Sequence, residues 1–172
     1  DRPGLTASVT EILAKYDATI LDIGQADIHN TLSLGILFKS EEKHSGFIMK
    51  ELLFKASSLG VTIRFEPITT EQYDNWVGMQ GKNRYILTVL GRKLSARQIS
   101  AATSILAEQG MNIDAIKRLT GRIPLDEYQT DTRTRACIEF SVRGTPKDRI
   151  AMHEKLMELA SELEMDFSFQ QD

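Results

Sequence analysis

The sequence of 172 residues has one cysteine, four prolines and one tryptophan, and its charges nearly cancel, with 21 Lys and Arg against 24 Asp and Glu. The lone cysteine, Cys137, excludes an intramolecular disulfide framework and points to a reducing compartment, so a cytoplasmic location is expected. His29, His44 and His153 are scattered and lack the spacing of a zinc site, so no metal-binding residue is expected. A net charge of −3 gives no global attraction to phosphate backbones or anionic lipid, which argues against nucleic-acid and membrane-surface roles. No apolar run reaches the ~18 to 20 residues of a membrane helix. Catalytic signatures are missing as well: there is no G-x-S-x-G, G-x-G-x-x-G or Walker sequence. Ser40-Glu-Glu-Lys43 matches S-x-x-K but stands in a polar loop without companion motifs, and the carboxylate pairs Glu41/Glu42 and Asp126/Glu127 are solvated loop neighbours. The chain is expected to be non-catalytic. It starts at Asp1 without Met and is read as a piece of a longer protein.

What the sequence does hold is a repeat. Ile12-Leu13-Ala14, Ile20 and Ile23 recur as Ile105-Leu106-Ala107, Ile113 and Ile116, a shift of 93 residues (105 − 12), which suits a duplicated small domain. In the first copy, helical spacing of Leu5, Val9, Ile12, Leu13 and Tyr16 predicts a helix over 4–16. Strands over 19–29 and 32–38, joined by the turn signal Asn30-Thr31, predict a hairpin. A helix over 46–59 ended by Gly60 and a strand over 61–65 follow. The second copy reads as strand 84–90, helix 95–109 with Ser95 as N-cap and Gly110 at the C-terminal end, strands 112–119 and 135–143, helix 146–163 with Pro146 in its first turn, and strand 165–169. The fold class is α+β: two tandem β-α-β-β-α-β domains, 1–67 and 84–172, with a linker over 68–83. By symmetry the first copy lacks its first strand, which would precede Asp1. Each copy of about 70 residues is small enough to gain by pairing sheets with another, so a homodimer is expected.

Three further segments carry information. Trp76 in the linker is read as an aromatic that pins it to a domain surface, with ligand stacking as the alternative. The stretch 121–134, with Pro124, Asp126, Glu127 and Asp131, is read as a polar insertion in the second hairpin. Lys117, Arg118, Arg122, Arg133 and Arg135 cluster at that hairpin but have no interleaved aromatics, which favours solvated or docking surface over nucleic-acid contact.

The informative loop is Asp1-Arg2-Pro3-Gly4-Leu5 ahead of the first helix. Glycine admits close approach of a ligand, proline fixes the entry dihedral, and a helix start presents N–H groups to an anion such as an amino-acid carboxylate, with Asp1 available to the ammonium. The same residues also suit a plain strand-to-helix turn capped by Asp1. This loop, followed by Val9, Ile12 and Leu13, resembles the signature of ACT domains, ferredoxin-like β-α-β-β-α-β modules that bind amino acids in metabolic regulation. Val89-Leu-Gly-Arg92, Gly110-Met-Asn-Ile-Asp114, Ile116 and Ser161-Glu-Leu-Glu-Met-Asp166 further resemble the tandem regulatory region of bacterial phosphoserine phosphatases.

That resemblance implies a parent enzyme that hydrolyses O-phospho-L-serine to L-serine with magnesium in a haloacid-dehalogenase-type domain. The D-x-D-x-T nucleophile motif of that domain is not in this sequence, so no cofactor is expected here. It also implies a ligand site at Asp1, Arg2, Pro3, Gly4 and Leu5, with Asn112 and Ile113 approaching from an adjacent module and L-serine as the expected ligand. The equivalent turn of the second copy, Gly91 to Arg97, lacks D-x-P-G and keeps only Gly91 as a flexible point, so one competent pocket per chain is expected. The alternative is a free-standing tandem regulator resembling the glycine-cleavage transcriptional repressor and acting by protein contact.

Overall fold

The computed structural model describes residues 4–125 and 135–172, and the chain folds as two units, Asp1–Ile68 and Thr69–Asp172. The first unit holds α1 (Leu5–Lys15), β1 (Thr19–Ile28), β2 (Thr31–Lys39) and α2 (Glu42–Leu59). The stripe on α1 buries Leu13 against Ile48 and Leu52 of α2, and Val9, Ile12, Ile36, Phe38, Ile63 and Phe65 close around them. α2 starts at Glu42 rather than at the expected Gly46, because an acidic residue in the first turn suits the helix dipole and one interior glycine is tolerated. β1 and β2 form the expected antiparallel hairpin, turning at His29 in the left-handed region (φ 55°).

The expected strand over 61–65 is not formed. Ile63 and Phe65 do turn to the core while Thr62, Arg64 and Glu66 face solvent, as in a strand, but among the described residues no ladder pairs them, and the sheet of this unit holds β1 and β2. The second unit shows the reason.

That unit holds α3 (Thr70–Gln80), β3 (Arg84–Gly91), α4 (Ala96–Glu108), β4 (Asn112–Arg118), β5 (Ala136–Arg143), α5 (Arg149–Glu162) and β6 (Met165–Gln171). Its four strands run β4-β5-β3-β6, every neighbouring pair antiparallel. Leu87, Val89, Phe140 and Val142 from the sheet pack on Ala102, Leu106, Met152 and Leu156 from α4 and α5. β6 is bonded to β3 alone, so the equivalent of β6 in the first unit has nothing to pair with once a β3 equivalent is missing from the described residues.

The repeat is visible in the backbone. The 93-residue shift holds through the first half of each unit and becomes 104 (152 − 48) in the second half, the difference lying between the hairpin strands. Leu13 and Leu106 are both buried, as are Ile48 and Met152, and Leu52 and Leu156. Each hairpin breaks register at the same place, around Leu21 in one and Asp114 in the other. Asp17 (φ 51°) answers to Gly110 (φ 71°), and Gly60 (φ 65°) to Glu164 (φ 51°).

Two other segments differ in detail from the expectation. The segment read as a linker is helical from Thr70 to Gln80, started by a reciprocal cap in which Thr69 Oγ1 accepts from Gln72 N–H and Gln72 Oε1 from Thr69 N–H. Trp76 lies half-buried on this helix with its ring 5.9 Å from that of Tyr73. Pro146 precedes α5 instead of entering its first turn, because Asp148 is the N-cap and accepts from the N–H groups of Ile150 and Ala151. No helix among the described residues is long and apolar enough to cross a membrane.

Candidate functional site

Asp1, Arg2 and Pro3 lie outside the described residues, as do Asp126, Glu127, Asp131 and Arg133 of the second hairpin. Gly4 is the N-cap of α1 in the left-handed conformation (φ 90°, ψ 2°), and Leu5 is the first helical residue. A Cβ on Gly4 would meet nothing within 4 Å, so backbone conformation, not crowding, calls for glycine here. No side chain caps the helix among the described residues; the helix begins with Ser8 N–H donating to Gly4 O at 2.9 Å. The N–H groups of Leu5, Thr6 and Ala7 therefore have no partner among the described residues and form the positive end of the helix dipole. The first turn holds no acidic residue to answer them.

Beside this start lies a polar pair that the loop motif did not reveal: Thr6 Oγ1 donates to Gln25 Oε1 at 2.9 Å, tying α1 to β1. Thr6 could have been picked from its position just inside the helix. Gln25 gives no sequence signal, since it sits in a strand whose residues are all exposed.

The corresponding start in the second unit is closed by its own side chains. Ser95 caps α4, Gln98 N–H donating to Ser95 Oγ at 3.3 Å and Ser95 N–H to Gln98 Oε1 at 2.7 Å. Gln98, only 8% exposed, then donates from Nε2 to Leu163 O at 2.8 Å, which fixes the end of α5 to the start of α4. Gly91 is buried at the end of β3, and a Cβ there would come 3.1 Å from Leu94 Cδ2. A side chain at this position would require Leu94 to give by a few tenths of an ångström.

Asn112 is exposed at the start of β4, opposite Arg143, whereas the side chain of Ile113 packs on the core. Gly91 pairs with Ala136 and Asn112 with Arg143, so these two candidates stand at opposite ends of β5, roughly 23 Å apart at the usual rise per residue. Next to Asn112, Arg143 Nη2 donates to Asp114 Oδ1 at 2.8 Å, and Arg143 Nη1 is buried without a hydrogen-bond partner. The Ser161–Asp166 motif lines an open depression of about 420 Å³ whose carboxylates, Glu164 and Asp166, do not suit an anion. Among the described residues no group of three His, Cys, Asp or Glu is placed to hold a metal ion.

A four-stranded antiparallel sheet carrying two helices in β-α-β-β-α-β order, repeated in part by an earlier unit with the same bulge and the same helix stops, defines a tandem of ferredoxin-like modules. Residues 1–66 and 84–170 each match the ACT domain, and the chain belongs to the ACT-domain family. It is 27% identical over 121 residues to phosphoserine phosphatase SerB2 of Mycobacterium tuberculosis, and 32% identical over 145 residues to phosphoserine phosphatase of Streptomyces coelicolor. These matches cover 70% and 84% of this chain but 29% and 32% of the enzymes, so the chain spans only about a third of the curated relatives it matches. Among solved structures, an unknown protein from Galdieria sulphuraria aligns with 100% of this chain and 92% of its own at a TM-score of 0.70 and 19% identity. A protein assigned as a glycine cleavage system transcriptional repressor aligns with 100% and 91% at a TM-score of 0.61 and 13% identity. At such identities the likeness shows the fold alone.

Proposed function

We propose that this chain is the amino-acid-sensing region of a phosphoserine phosphatase and that its ligand is a small amino acid, L-serine before others. The reading is carried by one contrast: among the described residues no side chain caps α1 and its first-turn N–H groups have no partner, whereas α4 is sealed by Ser95 and Gln98. The curated relatives supply the enzyme class. In this reading the ligand carboxylate sits on the N–H groups of Leu5, Thr6 and Ala7, Asp1 answers the ammonium, and Thr6 and Gln25 are polar neighbours for the ligand side chain. Ligand binding at this helix start biases how modules pair and how attached catalytic domains are oriented. A coupling of about 1 to 3 kcal/mol suffices for such control. The hydrolysis of O-phospho-L-serine, with magnesium, belongs to a catalytic domain outside this sequence, and the working assembly is a cytoplasmic homodimer.

Thermal unfolding with L-serine, glycine and D-serine tests this. At about 100 times its dissociation constant a ligand adds about 2.7 kcal/mol, a rise of roughly 5 to 11 °C for a chain of this size. A rise with L-serine that disappears in Gly4→Val is the expected result. No rise with any of the three overturns sensing, and a rise undiminished in Gly4→Val overturns the placement at α1.

The second reading is a regulator acting by protein contact, and the protein assigned as a glycine cleavage repressor shares its fold with this chain. A rise with glycine and none with L-serine would select it.

A further inference from the structure

The outer face of the second sheet, away from α4 and α5, holds a charged pair that neither the repeat nor the candidate loop accounts for. Tyr85 and Val142 face the core, so the residues beside them, Arg84 on β3 and Arg143 on β5, face the other way and stand directly opposite each other. Gly144 N–H donates to Asn83 O at 2.9 Å, which puts the two arginines at a non-hydrogen-bonded position. There Cα atoms approach to about 4.5 Å and side chains are nearest. Like charges so placed are destabilising.

Their partners do not offset this. The Arg143 side chain is 14% exposed; Asp114 accepts from its Nη2 at 2.8 Å, and Nη1 is left buried without a hydrogen-bond partner. Asp114 is the extra residue of the β4 bulge, a device that re-aims side chains. Arg84 is exposed and its side chain makes no hydrogen bond or ion pair among the described residues. Asp172, next to it on the β6 side, bonds through its backbone, N–H donating to Arg84 O at 3.0 Å. The fold does not require these charges: by the repeat, Asp114 answers to Leu21 and Arg143 to Lys39, so the same bulge in the first unit carries no carboxylate and Lys39 stands exposed.

We propose that Arg84 and Arg143 form an oxyanion site for the phosphate group of a small molecule. Two guanidinium groups side by side present more donors than the two oxygens of a carboxylate can take, whereas a phosphate reaches both forks and relieves their repulsion. Asp114 fixes Arg143 through Nη2, which leaves Nη1 for the ligand, and the buried position of that donor removes competition from water. Arg84, exposed and unheld, is the side that moves to admit the phosphate.

The test is titration of the whole chain with inorganic phosphate at constant ionic strength, followed through backbone and guanidinium NMR signals. Saturable shifts are expected at Arg84, Arg143 and residues 112–114, and none in the first unit. Arg84→Gln, an exposed substitution that leaves the core alone, should weaken binding about tenfold or more. Arg84→Glu sets a carboxylate opposite Arg143 and should raise the urea midpoint of the second unit without phosphate while abolishing the shifts. Absence of saturation, binding undiminished in Arg84→Gln, or no gain in midpoint from Arg84→Glu overturns the proposal. Acetate binding as tightly as phosphate overturns the phosphate class and would assign the pair to a carboxylate ligand.

Discussion

The two units share a backbone and differ in what they leave open. Both bury a leucine from the first helix against an aliphatic pair on the second, and both bend the hairpin at one bulge. The second unit closes its own edges and helix ends: four strands in one sheet, a capped α4, and two buried glutamines that hold α4 at both ends, Gln98 to Leu163 O and Gln109 Oε1 to Asp148 N–H at 2.8 Å. The first has two strands, a glycine at its helix start and no counterpart of either glutamine, Leu5 and Tyr16 standing at those positions. A duplicated fold thus keeps its core contacts in both copies while side-chain capping of the first helix, the part that competes with a ligand for backbone N–H groups, is seen among the described residues of the second copy alone.

The comparison breaks hardest at the shared core. Leu13→Ala and Leu106→Ala should each cost about 2 to 5 kcal/mol. In urea denaturation the first should lower only the transition of the first unit and the second only that of the second; a single merged loss would mean that the units fold as one body. Next comes the cap. Gln98→Leu, which installs the residue of the first copy, leaves Leu163 O and Ser95 N–H unpartnered and should cost about 1 to 3 kcal/mol in the second unit, read as a lower urea midpoint without altered ligand response. Gly4→Ala puts a Cβ on a left-handed residue and should cost about 1 to 2 kcal/mol in the first unit alone, seen in its thermal transition.

The smallest effect sharpens the difference at the far end of α1. Lys15 Nζ donates to Glu51 Oε1 at 2.6 Å, and Tyr16 OH donates to the same oxygen. These hydrogen bonds, that from Lys15 first, hold the Glu51 carboxyl below its ordinary range and raise both Lys15 and Tyr16. A depressed carboxylate stabilises the fold above its unfolded pKa, about 4.3, and that contribution fades as pH falls through the lower folded value. The stability gap between the native chain and Glu51→Gln should therefore narrow in acid, by an amount kept small through exposure to solvent.

Much of this fold was legible because its determinants are local. Apolar residues at helical steps marked α1 and α4, and Ser95 announced its helix. The repeat itself was read from Ile12-Leu13-Ala14 and Ile105-Leu106-Ala107. Residues 61–65 misled because alternation reports which face of a segment is apolar, not whether a neighbour is there to bond its edges. The helix over 70–80 was missed although Thr69 and Gln72 have the spacing of a reciprocal cap, since Gly78 and Gly81 suggested a linker. Among the candidate residues, Gly4 was chosen by the type of residue and Asn112 through the family resemblance. Gln98 and the Thr6–Gln25 pair depend on side chains meeting across elements, which one-dimensional spacing does not record.

The helix stops carry one more consequence. After α1, Asp17 N–H donates to Ala14 O and Ala18 N–H to Leu13 O; after α4, Gly110 N–H donates to Ala107 O and Met111 N–H to Leu106 O. The same two bonds accompany a left-handed residue in each copy, glycine in one and aspartate in the other, and after the second helix of each copy the left-handed position holds Gly60 in the first and Glu164 in the second. A side chain in that conformation costs about 1 to 2 kcal/mol, more than the roughly 0.4 to 1 kcal/mol of extra unfolded freedom that glycine brings. Each half of the chain therefore holds the remedy for a strained joint in the other, and a chimera taking the glycine at both positions would outlast its parent on heating.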